Sequence, residues 1–199
     1  MNYQYSYLMG TLILLIFWLI LFLWRKDTRK EMLIISIIFG FIGLIVEGVY
    51  ILDWWRPLTI TNTAIGIEDF LFGFTVAGMA AVGYEIIFKK KLKIKKANKK
   101  IRFRRNKSFI LISLLGLSLF FGSYFILGLN TFYSSVIAFA IPILIIWIKR
   151  KDLITNSLVT GLLGLIGAPI LFMILEFLTP GWVESAWHFT NISKIIRRL

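Results

Sequence analysis

The sequence predicts an all-α, polytopic membrane protein with six transmembrane helices. Of its 199 residues, 58% are hydrophobic and only 17% are charged, against about 25% charged in an average soluble domain. The mean hydropathy is +0.82, and the apolar runs lack the period-two alternation of membrane strands. This composition excludes a soluble globule, which needs more polar surface, and a disordered chain, which is poor in aromatic residues.

Each apolar run is long enough for a helix to cross a bilayer core of about 30 Å, which takes about 20 residues. Four of the predicted spans are 8–24, 32–52, 67–88 and 155–178. The uncharged run 108–148 would be about 60 Å long as one helix, twice the core thickness. It is therefore predicted to fold back at the turn formed by Gly128, Leu129, Asn130 and Thr131, which gives six helices.

Basic residues are concentrated in three loops, after the first, third and fifth helices, which hold 19 of the 23 Lys and Arg. By the positive-inside rule these loops are cytoplasmic, so the protein is predicted to lie in the cell membrane with its N-terminus outside. The linker 89–107 is the most basic of the three. A nucleic-acid site would need an ordered face or stacking aromatics, so anionic lipid headgroups are the expected partner of this linker and nucleic acid is not.

Two stretches share an order of features: a Trp, a basic cluster with an Asp, and a helix with paired glycines. The first has Trp24, Arg25, Lys26, Asp27, Gly40 and Gly43, and the second has Trp147, Lys149, Arg150, Lys151, Asp152, Gly164 and Gly167. The offset of about 123 residues predicts a three-helix internal duplication, with repeats at 1–88 and 108–199 around the basic linker. The second repeat is expected to lack its last helix, because a short basic segment follows Asn191. Small-residue pairs and basic loop ends also recur in unrelated membrane proteins.

Three carboxyl groups are candidate catalytic groups, because a carboxylate inside a membrane is costly. Glu47 lies in the second helix, about 10 Å deeper than Trp54 if that residue marks the interface. Glu68 and Asp69 open the third helix and are followed by a Phe-rich stretch. A single carboxylate there would be an ordinary helix cap. Two adjacent ones point about 100° apart, so one is expected to face the bundle, where desolvation can hold it protonated as a general acid.

The chain has no Cys and one His, which excludes thiolate sites and His-rich metal sites. No phosphate-binding loop, Ser-His-Asp set or haem ligand pair is present. The sequence therefore predicts neither a metal nor a cofactor. Trp54, Trp55, Trp182 and Trp187 are typical of an interfacial aromatic belt, and alternatively would line an apolar cavity and stabilise a cation with their π faces.

The segment EGVYILDWWRPLTITNTAIGIEDFLFGFTVAGMAAVGYE, residues 47–85, resembles the lycopene cyclase domain of small membrane carotenoid cyclases, which are heterodimeric or fused enzymes. The matching features are Glu47, Asp53, Trp54 and the run Glu68, Asp69, Phe70, Leu71 and Phe72. Gly66 stands where the family's Pro-x-Glu-(Glu/Asp) motif has its proline. The family carries an acidic motif in each half, and the second one has no counterpart here.

The resemblance implies an isomerase that closes a ring at the end of a linear carotenoid or isoprenoid without a cofactor or redox change. A carboxylic acid protonates the terminal double bond, the internal alkene attacks the cation, and a base removes a proton. Glu68 is the expected acid, and Asp69 or Glu47 would tune it or accept the proton. The expected substrate-binding residues are Asp53, Trp54, Trp55, Arg56, Phe70, Phe72 and Phe74.

Two alternatives remain open on the sequence. The first is a non-catalytic protein of the same fold that binds an isoprenoid lipid or a partner, which the absent second acidic motif favours. The second is a small transporter with Glu47 and Glu68 as a proton-coupled pair, although no break in the middle of a helix supports it. Assembly as a homo-oligomer or a hetero-oligomer is also left open.

The predicted topology can be tested by labelling single cysteines with a membrane-impermeant reagent. Thr61→Cys lies in the loop between the second and third helices and should react from outside the cell, whereas Asn98→Cys in the basic linker should react only after permeabilisation. Both substitutions leave the charge balance unchanged. Equal labelling, or the reverse pattern, would contradict an external N-terminus.

Overall fold

Helices make up most of the described part of the chain. The computed structural model describes residues 3–89 and 99–188, and for 99–106 the backbone alone. The helices are α1 (Ser6–Trp24), α2 (Arg29–Tyr50), α3 (Ile67–Ile87), α4 (Lys99–Phe125), α5 (Thr131–Lys149), α6 (Ile154–Leu178) and the short α7 (Trp182–Ala186). Within those ranges there is no strand, and six helices are long and apolar enough to cross a membrane. The predicted all-α class with six such helices is confirmed.

The long uncharged run folds back where the sequence predicts. The fourth helix ends at Phe125 and the fifth begins at Thr131. Gly128 between them has a φ of 65°, in the left-handed region that glycine enters at little cost. The Asn130 side chain then caps α5 by accepting a hydrogen bond of 2.9 Å from the Phe132 N–H.

The helices form two compact units. The first contains α1, α2, α3, α6 and α7, and the second contains α4 and α5. These units are defined by packing, whereas the predicted division into 1–88, 89–107 and 108–199 is defined by a sequence repeat. The units therefore do not test the predicted division, which stays a prediction. Most of the basic linker, at 90–98, and the last segment, at 189–199, lie outside the described residues.

Glycines bring α2 and α3 of the first unit into close contact. A Cβ atom on Gly43 would lie 2.8 Å from the Asp69 carbonyl oxygen, and one on Gly73 would overlap the Phe39 carbonyl oxygen. A Cβ on Gly40 would lie 2.7 Å from the Phe70 ring. The two backbones therefore approach each other as closely as helices in membranes do through small residues, and this contact sets the first turn of α3 beside α2.

The first helix packs along α3 through a cluster centred on Trp18. Trp18, Met32 and Val82 are buried together, and the Trp18 indole N–H donates a hydrogen bond of 2.9 Å to the Ser36 hydroxyl. At the C-terminal end of α1, Arg29 donates to the Phe22 and Leu23 carbonyls. Such contacts satisfy carbonyls that lack a helical partner and place cations at the negative end of the helix dipole.

A bidentate ion pair follows both α1 and α5, which are each 19 residues long. Arg25 contacts the two oxygens of Asp27 at 3.0 Å each, through Nε and Nη2. Arg150 contacts Asp152 through the same two nitrogens, at 2.9 and 2.7 Å. The two pairs lie 125 residues apart, close to the offset of about 123 from which the duplication is predicted, and the duplication itself stays a prediction.

The glycine contact between α2 and α3 gives a stability prediction. Gly73→Ala should lower the free energy of unfolding by about 1–3 kcal/mol, because its methyl group would displace the α2 backbone. Gly164→Ala on α6 is the matched control, since no atom lies within 4 Å of its added methyl group. Thermal unfolding in detergent measures both, and an equal shift in Tm for the two variants would contradict the packing argument.

Candidate active site of buried carboxyls and aromatic rings

Three carboxyl groups lie together where α2 ends and α3 begins. Glu47 is 5% exposed, Glu68 is fully buried and Asp69 is 3% exposed. Across the part of the chain that the structure describes, no Lys or Arg forms an ion pair with any of the three. Because a buried carboxylate without a partner cation is very costly, each of the three groups is a candidate for a functional role.

Both oxygens of Asp69 accept hydrogen bonds. The Tyr7 hydroxyl donates to Oδ1 at 2.9 Å, and the Gly66 N–H donates to Oδ2 at 2.7 Å. The second contact is a helix cap: Asp69 is the third residue of α3, and it accepts the N–H of Gly66, the residue that precedes the helix. Two donors aimed at separate oxygens make Asp69 an acceptor and fix the plane of its carboxyl group.

Tyr7 was not predicted from the sequence. It is 3% exposed and its hydroxyl is close enough to interact electrostatically with Glu47, Glu68 and Asp69. A Tyr near the end of a membrane-spanning helix is typical of the membrane interface. Its sequence position therefore gave no sign that its hydroxyl contacts the Asp69 carboxyl group on another helix.

Glu68 turns toward the loop that connects α2 to α3. Its Oε1 accepts a hydrogen bond of 2.6 Å from the Ile60 N–H. Its Oε2 is buried without a hydrogen-bond partner among the described residues. A Cβ on Gly66 would overlap that oxygen and lie 2.8 Å from the Thr59 side chain. Glycine at this position therefore leaves room for Glu68, and its N–H supplies the bond to Asp69 that a proline could not.

Glu47 is the carboxyl group with the fewest polar contacts. Its Oε1 is buried and has no hydrogen-bond partner within residues 3–89 and 99–188. It is close enough to Asp69 to interact electrostatically. No hydrogen bond joins it to Glu68 in the described structure, although the two come from adjacent helix ends. A neutral carboxyl group without an acceptor keeps its proton available to a bound substrate.

Aromatic rings adjoin the carboxyl groups and form what we call the aromatic wall. Its members come from α1, α3, α6, α7 and two loops, and they are Tyr7, Trp54, Trp55, Phe72, Phe172, Trp182 and Trp187. Trp55 is central: its ring lies 5.6 Å from Tyr7, 5.1 Å from Trp187 and 6.1 Å from Trp182, each in an edge-to-face arrangement. Phe172 was missed because nothing distinguishes it within a continuous apolar run.

A short backbone pairing holds the wall together. Trp55 and Trp187 form an isolated antiparallel bridge, with Arg56 N donating to the Ala186 carbonyl at 2.8 Å and His188 N donating to the Trp54 carbonyl at 2.7 Å. This pairing ties the loop after α2 to the segment after α6. Because of it, two regions far apart in the chain contribute rings to one surface.

The remaining predicted site residues lie elsewhere. Phe70 packs against Phe41 of α2 at 5.4 Å, and Phe74 packs against Trp18 of α1 at 4.8 Å. Asp53 is buried in the loop, and the exposed Arg56 donates to the Leu52 carbonyl at 3.0 Å. The structure thus brings Trp54, Trp55 and Phe72 to the aromatic wall but does not bring Phe70 or Phe74 there.

Comparison with known proteins identifies the family. The family described as lycopene cyclase matches residues 4–87 and 130–197, which together make up most of the chain. No curated protein and no solved structure matches the chain. The first matched stretch contains Tyr7, Glu47, Trp55, Glu68 and Asp69, and thus the whole carboxyl cluster. The chain belongs to the lycopene cyclase family.

Proposed function

We propose that this protein is a membrane-embedded cyclase that closes a ring at the end of a linear carotenoid or isoprenoid by acid catalysis, without redox change. Membership of the family supports a carotenoid cyclase-like function and implies a hydrophobic carotenoid substrate. The observation that carries the proposal is the cluster of three buried carboxyl groups. No described Lys or Arg forms an ion pair with them, and the aromatic wall reaches them through Tyr7.

Glu47 is our proposed proton donor. Its carboxyl group is buried, and its Oε1 has no hydrogen-bond partner among the described residues. Its proton adds to the less substituted carbon of the terminal double bond, which leaves a tertiary cation on the carbon that bears the two methyl groups. The electron pair of the internal double bond then forms the new carbon–carbon bond, which closes the six-membered ring and leaves a tertiary cation.

Asp69 is our proposed proton acceptor. Its two hydrogen-bond donors, Tyr7 and Gly66, favour negative charge on its oxygens. It takes a proton from a carbon next to the cation, and the electrons of that C–H bond form the ring double bond. The product is an isomer of the substrate. One proton must then return from Asp69 to Glu47 before the next turnover.

The aromatic wall has two proposed roles. The π faces of Trp and Tyr attract a cation, which lowers the energy of the carbocation intermediates. The packed rings also exclude water, which would otherwise capture the cation as an alcohol. The contacts of Trp55 with Tyr7, Trp182 and Trp187 support both roles, because they join the carboxyl cluster to a continuous apolar surface.

Glu68 was the first candidate for the acid on the sequence, and the geometry favours another role. Its Oε1 accepts the Ile60 N–H, and its Oε2 lies beside Gly66 and Thr59, so the carboxyl group turns toward the connecting loop. We propose that Glu68 anchors this loop. The two assignments differ in a testable way, since a Gln amide keeps the oxygen that accepts the Ile60 N–H but cannot donate a carboxylic acid proton.

A membrane setting and the topology complete the proposal. Six helices can cross a membrane, and large apolar side chains on α1 and α6, such as Ile16, Phe17, Ile166 and Phe177, are exposed as lipid-facing residues would be. We propose a multi-pass cell-membrane protein with its N-terminus outside and its basic linker against anionic lipid headgroups. The carotenoid would then enter the site from the bilayer.

The internal duplication is also a proposal. Two findings support it: the family match falls in two separate stretches, and the Arg25–Asp27 and Arg150–Asp152 pairs share one geometry at matching positions. Two repeats in one chain, or one chain with a partner subunit, would both supply the two halves that the resemblance implies.

Glutamine substitutions test the assignment of the acid. In lycopene-producing cells, Glu47→Gln should reduce ring formation by about 10² or more, the usual contribution of a general acid. Glu68→Gln should retain most activity, because the amide oxygen can still accept the Ile60 N–H. Glu85→Gln, at the far end of α3, is the matched control and should behave as wild type. Cyclic products are measured by chromatography, and the protein level in the membrane is measured alongside.

The opposite ranking would reverse the roles. Loss of product in Glu68→Gln with activity kept in Glu47→Gln would make Glu68 the acid. A wild-type protein that inserts fully into the membrane and binds carotenoid, yet makes no cyclic product with or without a partner half, would favour the non-catalytic alternative.

A further inference from the structure

We propose that Tyr7 is a positioning residue that decides which proton Asp69 removes from the cyclic cation, and thereby which ring isomer forms. This inference rests on the proposed cyclase function. Tyr7 does not touch the reacting atoms in this assignment. It acts through Asp69, whose Oδ1 accepts the Tyr7 hydroxyl at 2.9 Å.

The cyclic cation can lose a proton from three kinds of carbon. Loss from the ring carbon that has just formed the new bond places the double bond in conjugation with the chain, as in a β ring. Loss from the ring carbon on the other side gives an ε ring, and loss from the attached methyl group gives a γ ring. All three steps release one proton to the base and have the same atom balance. The position of the base therefore determines the isomer.

Tyr7 is one of two donors that fix this position. The Gly66 N–H holds Oδ2 and belongs to the start of the same helix, so by itself it leaves the carboxyl plane free to turn about that oxygen. The Tyr7 hydroxyl comes from α1 and holds the other oxygen. Two donors from different helices fix both the position and the plane of the carboxyl group, to the accuracy that positioning in catalysis requires.

The ring of Tyr7 is itself held in place by the aromatic wall. It contacts Trp55 edge-on with ring centres 5.6 Å apart, and Phe72 with ring centres 6.4 Å apart. Tyr7 is 3% exposed, so water cannot replace its hydroxyl as a donor without displacing those rings. Tyr7 therefore connects the aromatic wall, which contacts the substrate, to Asp69, which removes the proton. It keeps the two in a constant relative position.

The test compares Tyr7→Phe with Tyr3→Phe in purified protein reconstituted into liposomes that contain lycopene. Each substitution removes one hydroxyl group. Tyr3 is the matched control because its exposed hydroxyl donates to the Pro180 carbonyl at 2.9 Å. The readouts are the ratio of ring isomers by chromatography, and kcat and KM for total cyclisation.

Tyr7→Phe should convert a single ring isomer into a mixture and should lower kcat about tenfold, because the base is no longer held in position. KM should be nearly unchanged, since the ring that contacts the wall is retained. Tyr3→Phe should keep the wild-type isomer and rate. A purely structural role for Tyr7 would lower the amount of folded protein without altering the isomer ratio, and that result would overturn the inference.

A second variant keeps the test decisive if Tyr7→Phe does not accumulate. Site-specific 3,5-difluorotyrosine at position 7 retains the ring and the hydroxyl but makes the hydroxyl a stronger donor to Asp69, which should weaken the base and lower kcat. The isomer ratio should stay that of the wild type, because the hydroxyl still holds Asp69 in place, and an unchanged kcat or a mixture of isomers in this variant would also overturn the inference. A wild-type protein that forms no ring at all would overturn the proposed function itself, so the two failures are distinguishable.

Discussion

The close approach of α2 and α3 is the constraint on which the rest of the first unit depends. Gly43 and Gly73 remove side chains where the two backbones meet, so the Asp69 carbonyl and the Phe39 carbonyl each face a glycine of the other helix. At this separation the last turn of α2 lies beside the first turn of α3. Glu47 and Asp69 become neighbours for that reason, although a long loop separates them in the chain. Larger residues at the two glycines would part the carboxyl groups.

Burial without a compensating cation gives the carboxyl cluster its chemical character. Each of the three carboxyl groups has a different set of contacts: Asp69 accepts two hydrogen bonds, Glu68 accepts one from the loop, and Glu47 Oε1 has none among the described residues. These differences in hydrogen bonding are the reason that the acid role is proposed for Glu47 and the base role for Asp69.

The sequence predicted the features that depend on local composition. Helix spans follow from hydropathy, and the turn at Gly128 follows from the length of the apolar run. The choice of Glu68 and Asp69 as candidates follows from the cost of carboxylates in a membrane, and the structure places both in the interior. It did not predict Tyr7 or Phe172, because their roles arise from contacts between helices distant in sequence. The orientation of Glu68 also could not be predicted, since it depends on where the Ile60 N–H lies in an irregular loop.

The pairing of Trp55 with Trp187 has a consequence for the order in which the protein is made. The helices that carry Glu47 and Asp69 leave the ribosome early. Trp187, the partner of Trp55 in the bridge, follows only after three more long helices. At ordinary elongation rates this delay is roughly ten seconds. During that time the carboxyl groups can already be packed between α2 and α3, but the aromatic wall is incomplete. The aromatic wall is therefore completed last, only after Trp182 and Trp187 have been made and well after the helices that carry the carboxyl groups.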